Sequence, residues 1–323
     1  MLSADQPTAP SHRPGQPHPR NRQGGPYDFP ALVRQCSELK SHVVPHPCGG
    51  DTIDYADAEA VKTLNRALLK FHYNISPWDI PRENLCPPIP GRADYLHHLA
   101  DLLAEGNPAA IPRGPAIRIL DVGVGASCIY PLIGTAEYGW SFVGTDADRD
   151  SVAWARKLVA QQTPPRTAIE IRHQKLRSSI FAGVIQSSER FHASLCNPPF
   201  HASAEHAAAA TLRKTRNLGT GGIRLRRNFG GKPTELWCNG GEAGFVHRMI
   251  AESAERSNQC SWFTSLISKR GNLAAVYRAL ASARAVDVRT IAMGQGQKQS
   301  RIVAWTFLDF ATRSRRLAHG LHA

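Results

Sequence analysis

The sequence predicts an α/β fold in which seven strands, mostly parallel, form an open sheet with helices on both faces and a helical extension ahead of it. Three observations carry this expectation. From Ile117 onward short apolar runs alternate with helical segments, the pattern of parallel strands joined by crossover helices. The first of those runs ends in a glycine turn that opens a helix, the usual start of such a sheet. Before Ile117 the apolar residues recur at helical spacing instead.

The opening residues, MLSADQPTAPSHRPGQPHPRNRQGG, are dominated by Pro, Gly, Gln, His and Arg and lack the apolar centre of a secretory signal. Residues 1–26 are therefore expected to be a disordered basic arm. Residues 27–110 read as the helical extension. Within it Ala58, Val61, Leu64, Leu68 and Leu69 form one helical face, with Asp57 available as the N-cap. The stretch 77–91, PWDIPRENLCPPIPG, holds too much proline for regular structure and reads as a stiff connector. A second helix then presents Leu96, Leu99, Ala100, Leu102 and Leu103 on one face and stops at Gly106, Asn107 and Pro108.

The sheet domain is expected over 111–312. Its strands are predicted at 117–122, 141–145, 168–172, 192–196, 261–268, 285–291 and 301–308, with helices at 150–161, 244–257 and 272–283. A Gly/Arg-rich insert at about 201–243 breaks the alternation, and long irregular stretches of this kind are binding loops, lids or disordered segments. Residues 313–323 form a basic tail.

Composition narrows the class of function. No window approaches the ~18 consecutive apolar residues of a membrane span, so a soluble, cytoplasmic protein is expected. Seven scattered cysteines without a CxxC pair suggest neither a disulfide framework nor a zinc site, and no metal is expected. Lys and Arg total 39 against 26 acidic residues, and the net charge of +13 favours polyanions. The basic residues cluster: Arg213, Lys214, Arg216, Arg224, Arg226 and Arg227 lie in the insert, and Arg313, Arg315 and Arg316 at the end. This points to nucleic acid, with RNA contacts expected from Arg213, Lys214, Arg216, Arg226 and Arg227. Lys298 and Arg301 either join them at the ligand edge of the sheet or decorate a hairpin.

The run Ile119-Leu120-Asp121-Val122-Gly123-Val124-Gly125-Ala126-Ser127 ends an apolar strand in a carboxylate, two glycines and a small-residue helix entry. Gly123 and Gly125 let the backbone approach a ligand closely, and Ser127 opens the helix. A carboxylate such as Asp121 would repel a pyrophosphate but suits the cationic amino group of S-adenosyl-L-methionine. Asp146, after the next strand, stands where a ribose diol is held in such folds; it could instead be a helix N-cap, and Asp148 is near enough to be confused with it.

Asn197-Pro198-Pro199-Phe200 follows the fourth strand at the edge of the sheet where ligands bind. An exocyclic adenine amine is a poor nucleophile because its lone pair is delocalised into the ring, so two acceptors aimed at its N–H bonds would restore that pair. The Asn197 side-chain oxygen and the Pro198 carbonyl can supply them, the proline rings fix φ, and Phe200 can stack on the base. The base must be unstacked to reach them.

The blocks ILDVGVGASCIYPLIG, CPPIPGRADYLHHLADLLAE, LCNPPFHASA, NFGG, ELWCNGGE, WFTSLIS and MGQGQKQSRIVAWTF resemble the bacterial ribosomal RNA large-subunit methyltransferase F family. The resemblance runs from about His18 to about Phe307. It implies a Rossmann-like class I S-adenosylmethionine methyltransferase with a seven-stranded, mostly parallel sheet. It also implies methylation of one adenine N6 in 23S ribosomal RNA, at position 1618, either naked or in a large-subunit assembly intermediate. By the same resemblance Gly123 and Asp146 hold the cofactor, Arg92 meets its carboxylate, Lys175 lies near it, and Asn197, Pro198, Pro199 and Phe200 are the catalytic tetrad.

Two other readings remain at this stage. An Asn-Pro-Pro-aromatic loop can also hold a planar amide, as a protein-glutamine N5 methyltransferase would require, although the basic insert argues against it. A non-catalytic ribosomal RNA assembly factor could retain the fold.

Overall fold

The computed structural model describes residues 16–105, 111–163, 166–200, 231–295 and 298–320. The chain opens with α1 (Phe29–Gln35), a 3₁₀ turn (Ser37–His42) and a two-stranded hairpin, β1 (Val43–Pro45) with β2 (Asp51–Ile53). Helix α2 (Ala58–Tyr73) is capped by Asp57, whose carboxylate accepts the Glu59 N–H, as its sequence predicts. Helix α3 (Ile89–Leu103) begins inside the stretch expected to be connector, because Pro90 sits in its first turn, where a missing N–H costs nothing.

Seven strands then build the sheet in the order β5-β4-β3-β6-β7-β9-β8. They are β3 (Arg118–Val122), β4 (Ser141–Asp146), β5 (Ile169–His173), β6 (Phe191–Cys196), β7 (Cys260–Ile267), β8 (Asp287–Gln295) and β9 (Lys298–Thr306). Only β9 runs against the others. Strand order reverses between β3 and β6, and a ligand crevice forms at the carboxyl edge of such a switch point. Helices α4 (Ile129–Tyr138) and α5 (Arg149–Ala160) join the early strands. Helices α6 (Pro233–Leu236), α7 (Gly241–Glu255), α8 (Leu273–Ser282) and α9 (Phe310–His319) follow the insert.

Alternation along the strands divides the core in two. Ile119, Phe142, Trp262 and Leu266 face the layer built by α2 to α5. Leu120, Val122, Val143, Phe263 and Ile267 face Val246, Met249 and Ile250 of α7 and Val276 and Leu280 of α8. No helix among the described residues is long and apolar enough to cross a membrane.

Two expectations about the chain ends need correction. Residues 16–26 are not a free arm: His18 N–H donates to Asp94 (3.0 Å), His18 Nε2 hydrogen-bonds Asp101 (2.8 Å), and Arg20 pairs with Asp101 (2.7 Å) and the His97 carbonyl (2.8 Å). His18, His98 and Asp101 come close enough to hold a metal, yet the Arg20 guanidinium shares that carboxylate, so the cluster works as a clamp. Residues 1–15 lie outside the described residues.

Residues 313–319 of the basic tail belong to helix α9, where Arg313 and Arg316 are structural and Arg315 is exposed. Arg313 is buried and pairs with Glu105 (2.8 Å), and buried Arg316 donates to Asn258. Glu105 also accepts Trp262 Nε1 (2.9 Å) and pairs with Arg289 (2.8 Å). Glu105→Ala leaves the buried Arg313 charge with only the more distant Asp287 carboxylate (3.8 Å) and should lower unfolding free energy by about 3 kcal/mol. Chemical denaturation measures this, and a loss under about 1 kcal/mol would mean the guanidinium has found water.

Candidate active site

The cleft at the switch point is built first by the turn after β3. Gly123 (φ 78°) and Gly125 (φ 62°) both adopt the left-handed region, where a side chain would be strained. The Gly123 and Val124 N–H groups both donate to the Thr145 carbonyl (2.9 Å each), tying the turn to the end of β4. Gly123, Gly125 and Ser127 all line the cleft.

Asp146 and Asp148 have separate tasks. Asp148 is the N-cap of α5, accepting the Ser151 N–H (3.3 Å) and hydroxyl (2.7 Å). Asp146 lines the cleft, and its carboxylate accepts the N–H of Gly125 and of Asp148 (2.9 Å each). Burial pushes its pKa up to about 6, against the lowering effect of those two hydrogen bonds.

Asp121 lies behind the glycine turn, fully buried, and neither carboxylate oxygen has a hydrogen-bond partner among the described residues. Desolvation raises its pKa well above the usual carboxylate range; the Asp146 charge adds to this and Arg92 opposes it. Arg92, from α3, lines the cleft. Its guanidinium donates to the Tyr130 hydroxyl (2.8 Å) and sits over the Tyr130 ring at 5.4 Å, while its buried Nε has no partner among the described residues.

Strand β6 delivers Asn197, Pro198 and Pro199 to the opposite wall. The end of β6 is held by Tyr95, whose hydroxyl bonds the Thr264 hydroxyl (2.9 Å) and reaches the Cys196 N–H and carbonyl (3.4 Å each). Thr264 in turn donates to the Ser194 carbonyl (2.7 Å). Asn197 Oδ1 is buried and has no partner among the described residues. An acceptor in that state is ready for an incoming N–H.

The remaining predicted residues separate. Phe200 does not line the cleft: its ring is half-buried against the apolar layer on the α2–α5 side, and its carbonyl accepts Lys269 Nζ (3.3 Å). Lys175 is exposed and away from the cleft. Its neighbour Gln174 turns inward to donate to the Ala182 carbonyl (2.8 Å), which sends Lys175 to solvent. Arg213, Lys214, Arg216, Arg226 and Arg227 lie outside the described residues. Lys298 opens β9 opposite Gln295, and Arg301 pairs in register with Ile267 at the carboxyl end of β7, so both belong to the ligand edge by backbone position.

Sequence reasoning missed several lining residues: Leu85, Tyr130, Arg177, Glu235, Phe245 and Arg248. It also missed Glu242, which is buried and accepts from the Ser268 N–H (2.9 Å), Asn272 Nδ2 (2.8 Å) and the Ser268 hydroxyl. That grip holds the turn carrying Lys269, and so the contact to the Phe200 carbonyl. Glu235 and Glu242 both belong to ELWCNGGE, whose paired glutamates were the available signal.

With this geometry in place, likeness to known proteins bears on the chemistry. The ribosomal RNA large subunit methyltransferase F of Yersinia enterocolitica is 55% identical over 293 residues, covering 90% of this chain and 88% of that protein. The catalytic domain of human Mettl16 bound to hairpin 1 of the MAT2A 3′UTR superposes with a TM-score of 0.77 at 30% identity, covering 91% of this chain and 96% of that one. The N-terminal domain of human METTL16 in complex with SAH gives 0.70 at 27% identity, covering 90% and 99%. The RNA methyltransferase family Methyltransf_10 matches residues 13–309, and the chain belongs to that family.

Proposed function

We propose that this chain transfers a methyl group from S-adenosyl-L-methionine to the N6 amine of one adenine in 23S ribosomal RNA, as a cytoplasmic enzyme of large-subunit maturation. One observation carries the reading: an Asn197 oxygen buried without a partner among the described residues lies with Pro198 and Pro199 in the same cleft as Gly123, Gly125 and Asp146. The residues present fit the cofactor. Asp121, buried just behind the cleft lining without a partner among the described residues, suits a cationic ammonium close to that wall; Asp146 offers acceptors for a ribose diol; Arg92 Nε, unpartnered among the described residues, can donate to a carboxylate.

When bound, S-adenosylmethionine supplies an electrophilic methyl carbon, and the protein's own task is to present the amine. The Asn197 side-chain oxygen and the Pro198 carbonyl take the two N–H bonds of N6, which turns the nitrogen lone pair out of conjugation. The amine would gain the methyl as the methyl's bond to sulfur breaks, and one of those protons would then pass to water. This is positioning with electrostatic support as positive charge develops on nitrogen. Phe200 stacks on the base only once its ring leaves the apolar layer. The family likeness and the net charge of +13 support RNA as substrate over a protein amide.

Mass spectrometry of ribosomal RNA from cells lacking the gene tests this. Loss of a single N6-methyladenine from 23S RNA, restored by the gene, is expected. An unchanged RNA pattern, or methyl transfer to purified protein instead, would remove the reading.

A further inference from the structure

We propose that Glu235 is a positioning residue for the cofactor cleft, bracing three chain segments into one wall on the Asp146 side. This rests on the cofactor reading above. The Glu235 carboxylate lines the cleft, and each of its oxygens is used. Oε2 accepts the N–H of Leu85 (2.9 Å) and of Lys232 (2.8 Å). Oε1 accepts Asn84 Nδ2 (3.1 Å) and lies 3.8 Å from where a Cβ on Gly125 would stand, so the side chain rests against the glycine turn.

The bonds continue until they close on themselves. Asn84 Nδ2 also reaches the Ser151 hydroxyl (3.3 Å), Ser151 donates to Asp148 (2.7 Å), and Asp148 pairs with Lys232 Nζ (2.9 Å). Lys232, through its N–H, returns the ring to Glu235. Five residues thus link the proline connector, the start of α5 and the segment entering α6. Two consequences follow for the cleft. Leu85 and Pro87, which line it, hang from the connector that Glu235 holds. The capped start of α5 is the backbone that donates Asp148 N–H to Asp146. None of the five bonds requires Glu235 to touch the ligand, so its effect on affinity passes through the wall.

Isothermal titration of S-adenosylmethionine into wild type, Glu235→Ala, Glu235→Gln, Asn84→Ala and the Asn84→Ala/Glu235→Ala pair separates the possibilities. Glu235→Ala should weaken cofactor binding about tenfold, since a displaced wall costs affinity without removing a ligand contact. Glu235→Gln should stay within about threefold, because a carboxamide oxygen still accepts both backbone N–H groups. Its amide can turn toward Asn84, whose buried Oδ1 has no partner among the described residues. The double variant should be no weaker than Glu235→Ala alone, as for residues acting in one network. RNA affinity, from filter binding, should move less than about twofold, as expected when a distant wall is disturbed.

Wild-type affinity in Glu235→Ala overturns the brace, and so do additive losses in the double variant. A Glu235→Gln loss as large as that of Glu235→Ala also overturns it, because the charge itself would then be meeting the ligand. If Glu235→Ala fails to fold, Glu235→Gln and Asn84→Ala decide: the brace requires the first to bind near wild type and the second to bind more weakly than wild type, and any other result overturns it. A wild-type protein that binds no S-adenosylmethionine overturns the cofactor reading itself, a different result from equal binding by wild type and variant.

Discussion

Asn197→Ala should still bind S-adenosylmethionine yet turn over about 10²–10³-fold more slowly, the loss typical of removing one preorganised polar group aimed at a reacting atom. The expectation comes from the state of that side chain. Its Oδ1 is buried without a partner among the described residues, so alanine removes no hydrogen bond that this oxygen makes there and the fold should hold. What disappears is one of two acceptors that localise the amine lone pair. The cofactor side of the cleft depends on Gly123, Gly125, Asp146 and Arg92, which come from other elements and stay in place. Single-turnover methyl transfer to 23S RNA, with calorimetry for cofactor binding, reads both quantities. Asn197→Asp keeps an acceptor at the same reach and should lose less. Full activity in Asn197→Ala would end the mechanism, and loss of cofactor binding in step with turnover would make Asn197 a cofactor ligand first.

The residues that proved legible in sequence are those whose role depends on local pattern. Gly123, Gly125, Asp146 and Asn197 each stand directly after an apolar strand, and strand ends in an open α/β sheet define the ligand edge. The sheet strands were legible because most carry an apolar run, as β7 does, buried at every position, while β5 shows the alternation of a half-buried strand. The hairpin of β1 and β2 was not, because three-residue strands that are largely exposed display no alternation. Residues 18–23 look like disordered composition because polar groups bind them, His18, Arg20 and Asn21 finding acceptors on α3 some seventy to eighty residues away. Arg313 misled in the same way: in sequence it is one of a basic cluster, and in the fold it answers Glu105. Lys175 missed the cleft by the parity of a single residue, since Gln174 takes the inward direction. ELWCNGGE marked Glu235 and Glu242 as a pair, but what they hold depends on contacts made across the fold, which the spacing alone does not give.

Asp121→Asn should bind S-adenosylmethionine on the order of 10²-fold more weakly, as when one member of a buried charge pair is removed, while the cofactor-free protein becomes more stable near neutral pH. The opposite signs follow from one carboxyl group. Asp121 is fully buried with no partner among the described residues, and its pKa lies well above the unfolded value of 3.8. Between those two values the folded chain keeps a proton that the unfolded chain has released, so stability falls as pH rises through the window. Asp146, raised to about 6, contributes with the same sign. Asparagine has no proton to keep, so the variant should lose less stability between pH 5 and pH 8 than wild type, and melt higher at the upper end. Binding runs the other way. A cationic ligand needs Asp121 ionised, so wild-type affinity should rise with pH and binding should release a proton, detectable as a calorimetric heat that depends on the buffer's ionisation enthalpy. In Asp121→Asn the part of this release that comes from Asp121 should vanish. A variant that melts lower than wild type would mean the native carboxyl holds a stabilising bond after all, and one that binds the cofactor as tightly would mean the ammonium is met elsewhere.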